Sequence, residues 1–127
     1  MLALVFPLGG ESYALPLAQV REVVPAPLLT VLPTAPSSIL GLVNLRGDVL
    51  PVLSAGVLLG SPFRVEPRYV MVVDAAGRPV GLAISGLPRI VELAFEPGGG
   101  PDVHTVDGEP VVMTDADALV RRPAEDG

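Results

Sequence analysis

The sequence predicts a mainly β chain folded as two small barrels that share an apolar seam, with a few one-turn helices. Three observations lead there. Apolar, valine-rich runs of four to eight residues recur between Gly, Pro, Asp or Ser, the spacing of an all-β barrel or sandwich. No stretch keeps a three-to-four-residue period over the length of an ordinary helix. The chain also resembles itself across its two halves, and a repeated short unit points to two copies of one plan packed together.

The strands are expected, in order, as follows. Residues 2–8 are an unbroken apolar run that stops at Gly9-Gly10, and 12–17 resumes after that turn. Residues 20–24 end at Pro25 and 29–32 at Pro33, because proline supplies no ladder donor. Residues 40–45 and 49–53 flank Arg46-Gly47-Asp48, while 69–73 and 79–84 flank Ala76-Gly77-Arg78. Residues 89–93 start after Pro88, and 102–106 and 111–114 flank Asp107-Gly108-Glu109. Glycine in each of these hairpin signals stands where a tight turn requires positive φ, so Gly47 and Gly108 are read as turn geometry. One-turn helices fit at 36–40, where Pro36 opens the turn, at 55–59, and at 115–120, where Asp115 can cap the first free amides.

Residues 10–24 lie on 77–91 at an offset of 67, which pairs Leu15 with Leu82, Leu17 with Ile84, Val20 with Leu87 and Val23 with Ile90. Residues 45–59 lie on 106–120 at an offset of 61, which pairs Gly47 with Gly108, Asp48 with Glu109 and Leu58 with Leu119. The 127 residues are therefore read as one domain with an internal repeat, approximately 1–66 and 67–127. Barrels of about sixty residues are too small to stand alone comfortably, so they should share apolar surface. A repeat in sequence need not be a lobe in space, since first strands can cross.

Composition closes several branches of chemistry. Eight arginines and no lysine against fourteen acids leave a net charge of −6, which argues against nucleic acid or an anionic membrane surface as partner. Without cysteine there is no disulfide frame, thiolate metal site or thiol nucleophile. The 23 uncharged residues between Glu22 and Arg46 could span a bilayer by length, but four prolines interrupt them. With no basic or cleavable leader pattern, the chain is read as cytoplasmic.

Catalytic sets are also missing. There is no Gly-x-Ser-x-Gly elbow and no lysine for a phosphate loop. His104 is the lone histidine and would need Asp102 or Asp107 to make a base or a metal site, so an ordinary edge-strand histidine is the simpler reading. Asp115 and Asp117 lack the other ligands of a calcium loop and fit helix capping better. Gly98 to Gly100 reads as a connection rather than a phosphate loop, and Arg46-Gly47-Asp48 as a hairpin turn rather than an adhesion tripeptide. No catalytic residue, metal or cofactor is expected. What remains is more apolar surface than small barrels can hide, which suits docking of other proteins.

At 41–51 the chain reads GLVNLRGDVLP, followed by Val52-Leu53 and Leu58-Leu59-Gly60. This resembles the signature of the CheW-like chemotaxis coupling family. VFPLGGESYALPLAQVREVV at 5–24, LPTAPSSILGLVNLRG at 32–47 and VMVVDAAGRPVGLAISGLPRIVEL at 70–93 are similar to its other segments, and VDGEPVVMTDADAL at 106–119 to its end. The resemblance implies two SH3-like five-stranded barrels around a hydrophobic seam, and a non-enzymatic adaptor. It implies two partners: the cytoplasmic tip of a chemoreceptor, and the regulatory domain of a histidine autokinase. The receptor groove, carried over by motif position, comprises Val20, Glu22 and Val23 with Leu42, Asn44 and Arg46. There apolar residues would bury the receptor tip while Glu22 and Arg46 orient it. The other readings are a structural arginine bonding turn carbonyls for Arg46, and a solvated edge-strand carboxylate for Glu22.

The chain departs from the family in two places. Ser54-Ala55-Gly56 replaces the usual aspartate-leucine, so the short helix there needs a different cap, and the segment from Phe95 to Val106 is short. Residues facing the kinase are not assigned. The alternatives are an accessory module of the same fold, resembling the kinase regulatory domain and serving a non-flagellar chemosensory pathway, and a small-molecule-binding or hydrolytic barrel built on His104.

Overall fold

The computed structural model describes residues 1–26, 29–31, 39–60, 66–93 and 103–121. Among them run eleven strands: β1 (Leu2–Leu8), β2 (Glu11–Pro16), β3 (Val20–Pro25), β4 (Leu29–Val31), β5 (Ile39–Leu45), β6 (Asp48–Ser54), β7 (Tyr69–Ala75), β8 (Arg78–Ile84), β9 (Arg89–Glu92), β10 (Val103–Val106) and β11 (Glu109–Met113). A 3-10 turn, Leu17–Gln19, separates β2 from β3, while α1 (Ala55–Leu58) follows β6 and α2 (Ala116–Arg121) follows β11. The expected helix at 36–40 lies mostly outside the described residues, and its last two residues open β5 instead.

Four two-residue turns set the hairpin registers: Leu8↔Glu11, Leu45↔Asp48, Ala75↔Arg78 and Val106↔Glu109. Both central residues of each turn have positive φ, the requirement of a type I′ turn whose twist matches that of paired strands. Gly47 and Gly108, at φ +88° and +82°, meet no neighbour where a Cβ would stand, so backbone conformation is what they supply.

The strands form two sheets. Lobe 1 has the order β10-β11-β2-β1-β9, and lobe 2 the order β3-β7-β8-β6-β5-β4. The short edge strand β4 is one more than the five expected in a lobe. Each lobe draws its central hairpin from one half of the sequence and its outer strands from the other. The hairpin β1-β2 sits between β9 and β11, and the hairpin β7-β8 between β3 and β6. The parallel junctions β11·β2 and β6·β8 are where the halves meet.

Three apolar clusters follow from the alternation of side chains along these strands. Leu4, Phe6 and Leu8 of β1 face Met71, Val73 and Ala75 of β7 and Val80, Leu82 and Ile84 of β8 across the seam. The opposite faces fill the lobes: Ala3 and Val5 with Ala14, Leu93, Val106 and Val111 in lobe 1, and Val70, Val72 and Ala83 with Val43, Leu50 and Val52 in lobe 2. Burial on both faces accounts for the unbroken apolar runs at 2–8 and 70–73, where a one-sided sheet would alternate.

The helices plug the seam with equivalent residues, Ala55 and Leu58 from α1 and Ala116 and Leu119 from α2. Ser54 Oγ accepts from the amide of Val57 at 3.3 Å, so serine supplies the cap of α1. Asp115 Oδ1 accepts from the amide of Ala118 at 3.2 Å, the cap expected for α2.

Candidate functional site

The site expected from sequence starts on β3. Val20 ends the 3-10 turn, its amide donating to the carbonyl of Leu17. The β3·β7 register shifts between Val20 and Glu22, which leaves Arg21 as the extra residue of a bulge. Arg21 Nε donates to Asp74 Oδ1 of β7 at 2.7 Å. After the bulge the side chains alternate. Val23, like Val20, is partly buried against the seam, whereas Val24 packs into lobe 2 with Leu40 and Leu45 of β5. Glu22 shares the side of Val24 and points across the mouth of lobe 2.

There it meets the β5–β6 turn. Arg46, the first turn residue at φ +52°, donates from Nη1 to Glu22 Oε1 at 2.9 Å and from Nη2 to Oε2 at 2.8 Å. This is a two-point guanidinium–carboxylate pair, the geometry in which arginine bonds most strongly. Asn44 Oδ1 accepts from the amide of Gly47 at 3.1 Å and tightens the turn that carries Arg46. Leu42 is half-buried between its register partners Thr30 and Pro51.

The pair shows that the sheet is curled. β3 and β5 stand four strand positions apart, which in a flat sheet would separate them by about 19 Å. The 2.8 Å contact, with Val24 of β3 and Leu45 of β5 on one apolar cluster, requires lobe 2 to close on itself. Lobe 1 closes in the same way. Arg89 of β9 donates from Nη1 to Asp107 Oδ2 in the β10–β11 turn at 2.8 Å, and Val91 and Val106 share its interior cluster.

Of the six groove residues, the fold joins Glu22 to Arg46 and sets Asn44 beside them, while Val20 and Val23 lie against the seam on the other side of β3. Neither of the alternatives read for Arg46 and Glu22 describes the pair: the guanidinium binds a carboxylate rather than turn carbonyls, and the carboxylate is bonded rather than merely solvated. The pairing of Arg89 with Asp107 went unnoticed in the sequence, although the offsets of 67 and 61 carry Glu22 onto Arg89 and Arg46 onto Asp107. Also missed was a clasp at the seam, in which Gln19 Nε2 donates to Asp115 Oδ2 at 3.0 Å and Gln19 Oε1 accepts from the Ala116 amide at 2.8 Å.

The hydrogen bonds from Arg46 hold the Glu22 carboxyl below its ordinary range, against a weaker opposing effect of burial, and the same bonds raise Arg46. A depressed folded-state pKa contributes stability above the unfolded value and loses it as pH falls through the folded one. Glu22→Gln should therefore be less stable than the parent at neutral pH, and the gap should shrink at a pH below the ordinary carboxylate range. Urea unfolding at both pH values measures the gap, and a gap of equal size at both would mean that the carboxylate charge is not its source.

His104 is half-buried on β10, paired in register with Val111. Among the described residues no three His, Cys, Asp or Glu side chains converge on a point that could hold a metal. Among the same residues no helix is long and apolar enough to cross a membrane.

Comparison with known proteins adds three findings. The family pattern described as "CheW-like domain" matches residues 2–123. The chain is 30% identical over 95 residues to "Probable chemotaxis protein CheW" of Rhizobium etli, covering 73% of this chain and 61% of that protein. It is 27% identical over 132 residues to "Chemotaxis protein CheW" of Rhizobium meliloti, covering 91% and 84%. It thus spans less than two thirds of the first relative's length. In fold it is similar to the crystal structure of scaffolding protein TtCheW from Thermoanaerobacter tengcongensis, with a TM-score of 0.81 at 21% identity, covering 99% of this chain and 96% of that one. The paired lobes, the capped seam helices and a family match from the second residue to the 123rd lead to one conclusion: this chain belongs to the CheW-like domain family.

Proposed function

We propose that this chain is a non-enzymatic scaffold that couples the cytoplasmic tip of a chemoreceptor to the regulatory domain of a histidine autokinase. The carrying observation is the family match over almost the whole chain, signature turn included. In this reading the receptor groove runs along the outside of β3 and β5 to the lobe mouth, with the partly buried Val20 and Val23 on its seam side, Leu42 as the wall on β5 and Asn44 fixing the turn at its end. Arg46 is the polar anchor. Its pairing with Glu22 uses two of the five guanidinium donors, and its side chain is 78% exposed, so the remaining donors face solvent where a partner carboxylate or carbonyl can meet them. Holding the guanidinium in advance lowers the entropy lost on binding.

The test mixes the purified chain with a receptor cytoplasmic fragment and with the kinase regulatory domain, then sizes the complexes. Both partners should bind. Arg46→Glu should weaken receptor binding by about tenfold or more while kinase-domain binding persists. Glu22→Gln breaks the internal pair but leaves the guanidinium in place. It should keep most of the receptor binding that Arg46→Glu loses, which separates contact from structure. If Arg46→Glu binds receptor as the parent does, the groove is elsewhere. If neither partner binds the parent, the coupling role itself fails.

A further inference from the structure

The two lobes are copies, and the offset of 67 describes their registers as well as their sequence. Val23↔Met71, Val24↔Val70 and Pro25↔Tyr69 in lobe 2 map onto Ile90↔Leu4, Val91↔Ala3 and Glu92↔Leu2 in lobe 1. The parallel junction Val52↔Gly81 maps onto Met113↔Ala14. β3 and β9 are thus equivalent closing strands, and β7 and β1 are the equivalent apolar strands that receive them. Such duplication creates a competing arrangement in which β3 closes lobe 1 against β1 and β9 closes lobe 2 against β7. Backbone pairing alone does not forbid it, because ladder hydrogen bonds are independent of sequence.

The closing ion pairs do distinguish the two arrangements. Lobe 2 has an acid on its closing strand, Glu22, and a base in its turn, Arg46; lobe 1 has a base on the strand, Arg89, and an acid in the turn, Asp107. Both turn residues stand at the first position of their turns, at φ +52° and +51°. In the exchanged arrangement Glu22 would face Asp107 and Arg89 would face Arg46, so two attractions would become two repulsions. Arg21, bonded to Asp74 at 2.7 Å in lobe 2, would find Pro7 at the equivalent place in lobe 1.

We propose that the opposite charge order of the Glu22–Arg46 and Arg89–Asp107 pairs assigns β3 to lobe 2 and β9 to lobe 1 as the chain folds. Exposed ion pairs stabilise a fold only weakly. Selecting between two nearly equal pairings needs only a difference between them, and like charges set against each other are the usual means.

The parent has no cysteine, so introduced thiols report strand position without interference. Ala3→Cys with Val24→Cys can cross-link only when β3 lies beside β1, whereas Val24→Cys with Val70→Cys reports native closure. Each reporter is refolded from denaturant under mild oxidation in three backgrounds. With parental charges the 3–24 cross-link should stay at background. With Glu22→Arg and Arg46→Glu both lobes have the same charge order, and the cross-link should rise about fivefold or more. Adding Arg89→Glu and Asp107→Arg makes the orders opposite again and should return it to background. Equal 3–24 cross-linking in all three backgrounds overturns the proposal. If the singly reversed chain does not fold, recovery of native 24–70 cross-linking in the doubly reversed chain supports it, and failure of both overturns it.

Discussion

Replacing Phe6 by alanine should lower the unfolding free energy by about 3 to 5 kcal/mol, a large part of what a domain of this size holds. Phe6 is fully buried at the middle of β1, on the face directed to the seam. Its ring stacks on Tyr13 of β2 with centroids 6.1 Å apart and planes 26° from parallel. Across the seam stand β7 and β8, which belong to the other lobe, so the cavity would open between lobes rather than inside one. The loss should therefore appear as a single cooperative transition shifted to lower urea concentration with both lobes unfolding together. Urea unfolding followed by far-ultraviolet circular dichroism measures it. A loss under about 1 kcal/mol, or early melting of lobe 1 alone, would mean that the seam does not join the lobes into one folding unit.

Gly81→Ala should be destabilising by about 1 to 3 kcal/mol although it adds only one methyl group. A Cβ there would stand 2.7 Å from Val70 Cγ1 and 3.0 Å from Val52 Cγ2. Both valines are fully buried and stiff about χ1, and β6 and β7 flank β8 on either side. Lobe 1 solves the same packing differently. Its counterpart of Gly81 is Ala14 and its counterpart of Val70 is Ala3, so the methyl groups missing at one position are present at the other. Placing lobe 1's solution in lobe 2 should relieve the clash: in a Val70→Ala background, the cost of Gly81→Ala should fall by about half or more. Thermal and urea unfolding of the four chains of this cycle give the coupling directly. An unchanged cost would mean that Val70 does not limit the space at Gly81.

Much of this fold was legible because its signals are local. Alternation and turn chemistry located all eleven described strands to within two residues at either end, and the four hairpin turns fall where Gly-Gly, Arg-Gly, Ala-Gly and Asp-Gly stand. Ser12–Leu17 and Asp115 behaved as their residue types dictate, one as a strand running into a tight turn and the other as a helix cap. The groove was less legible. Val20, Glu22 and Val23 are neighbours in sequence, yet the bulge at Arg21 and the alternation beyond it send the valines to the seam and Glu22 to the lobe mouth. Glu22 and Arg46 looked like two free charges because the 23 residues between them carry no sign of closure.

From the sequence alone came the β class, the strand order along the chain, the internal repeat and the family resemblance, each written in residues near one another or in a comparison of the chain with itself. Tertiary structure alone decided which strands share a lobe, that each lobe closes through an ion pair of opposite order, and that Gly81 answers Val70. The reason is physical. Turns and alternation depend on a few consecutive residues, whereas closure depends on side chains brought within 3 Å by the curl of a whole sheet.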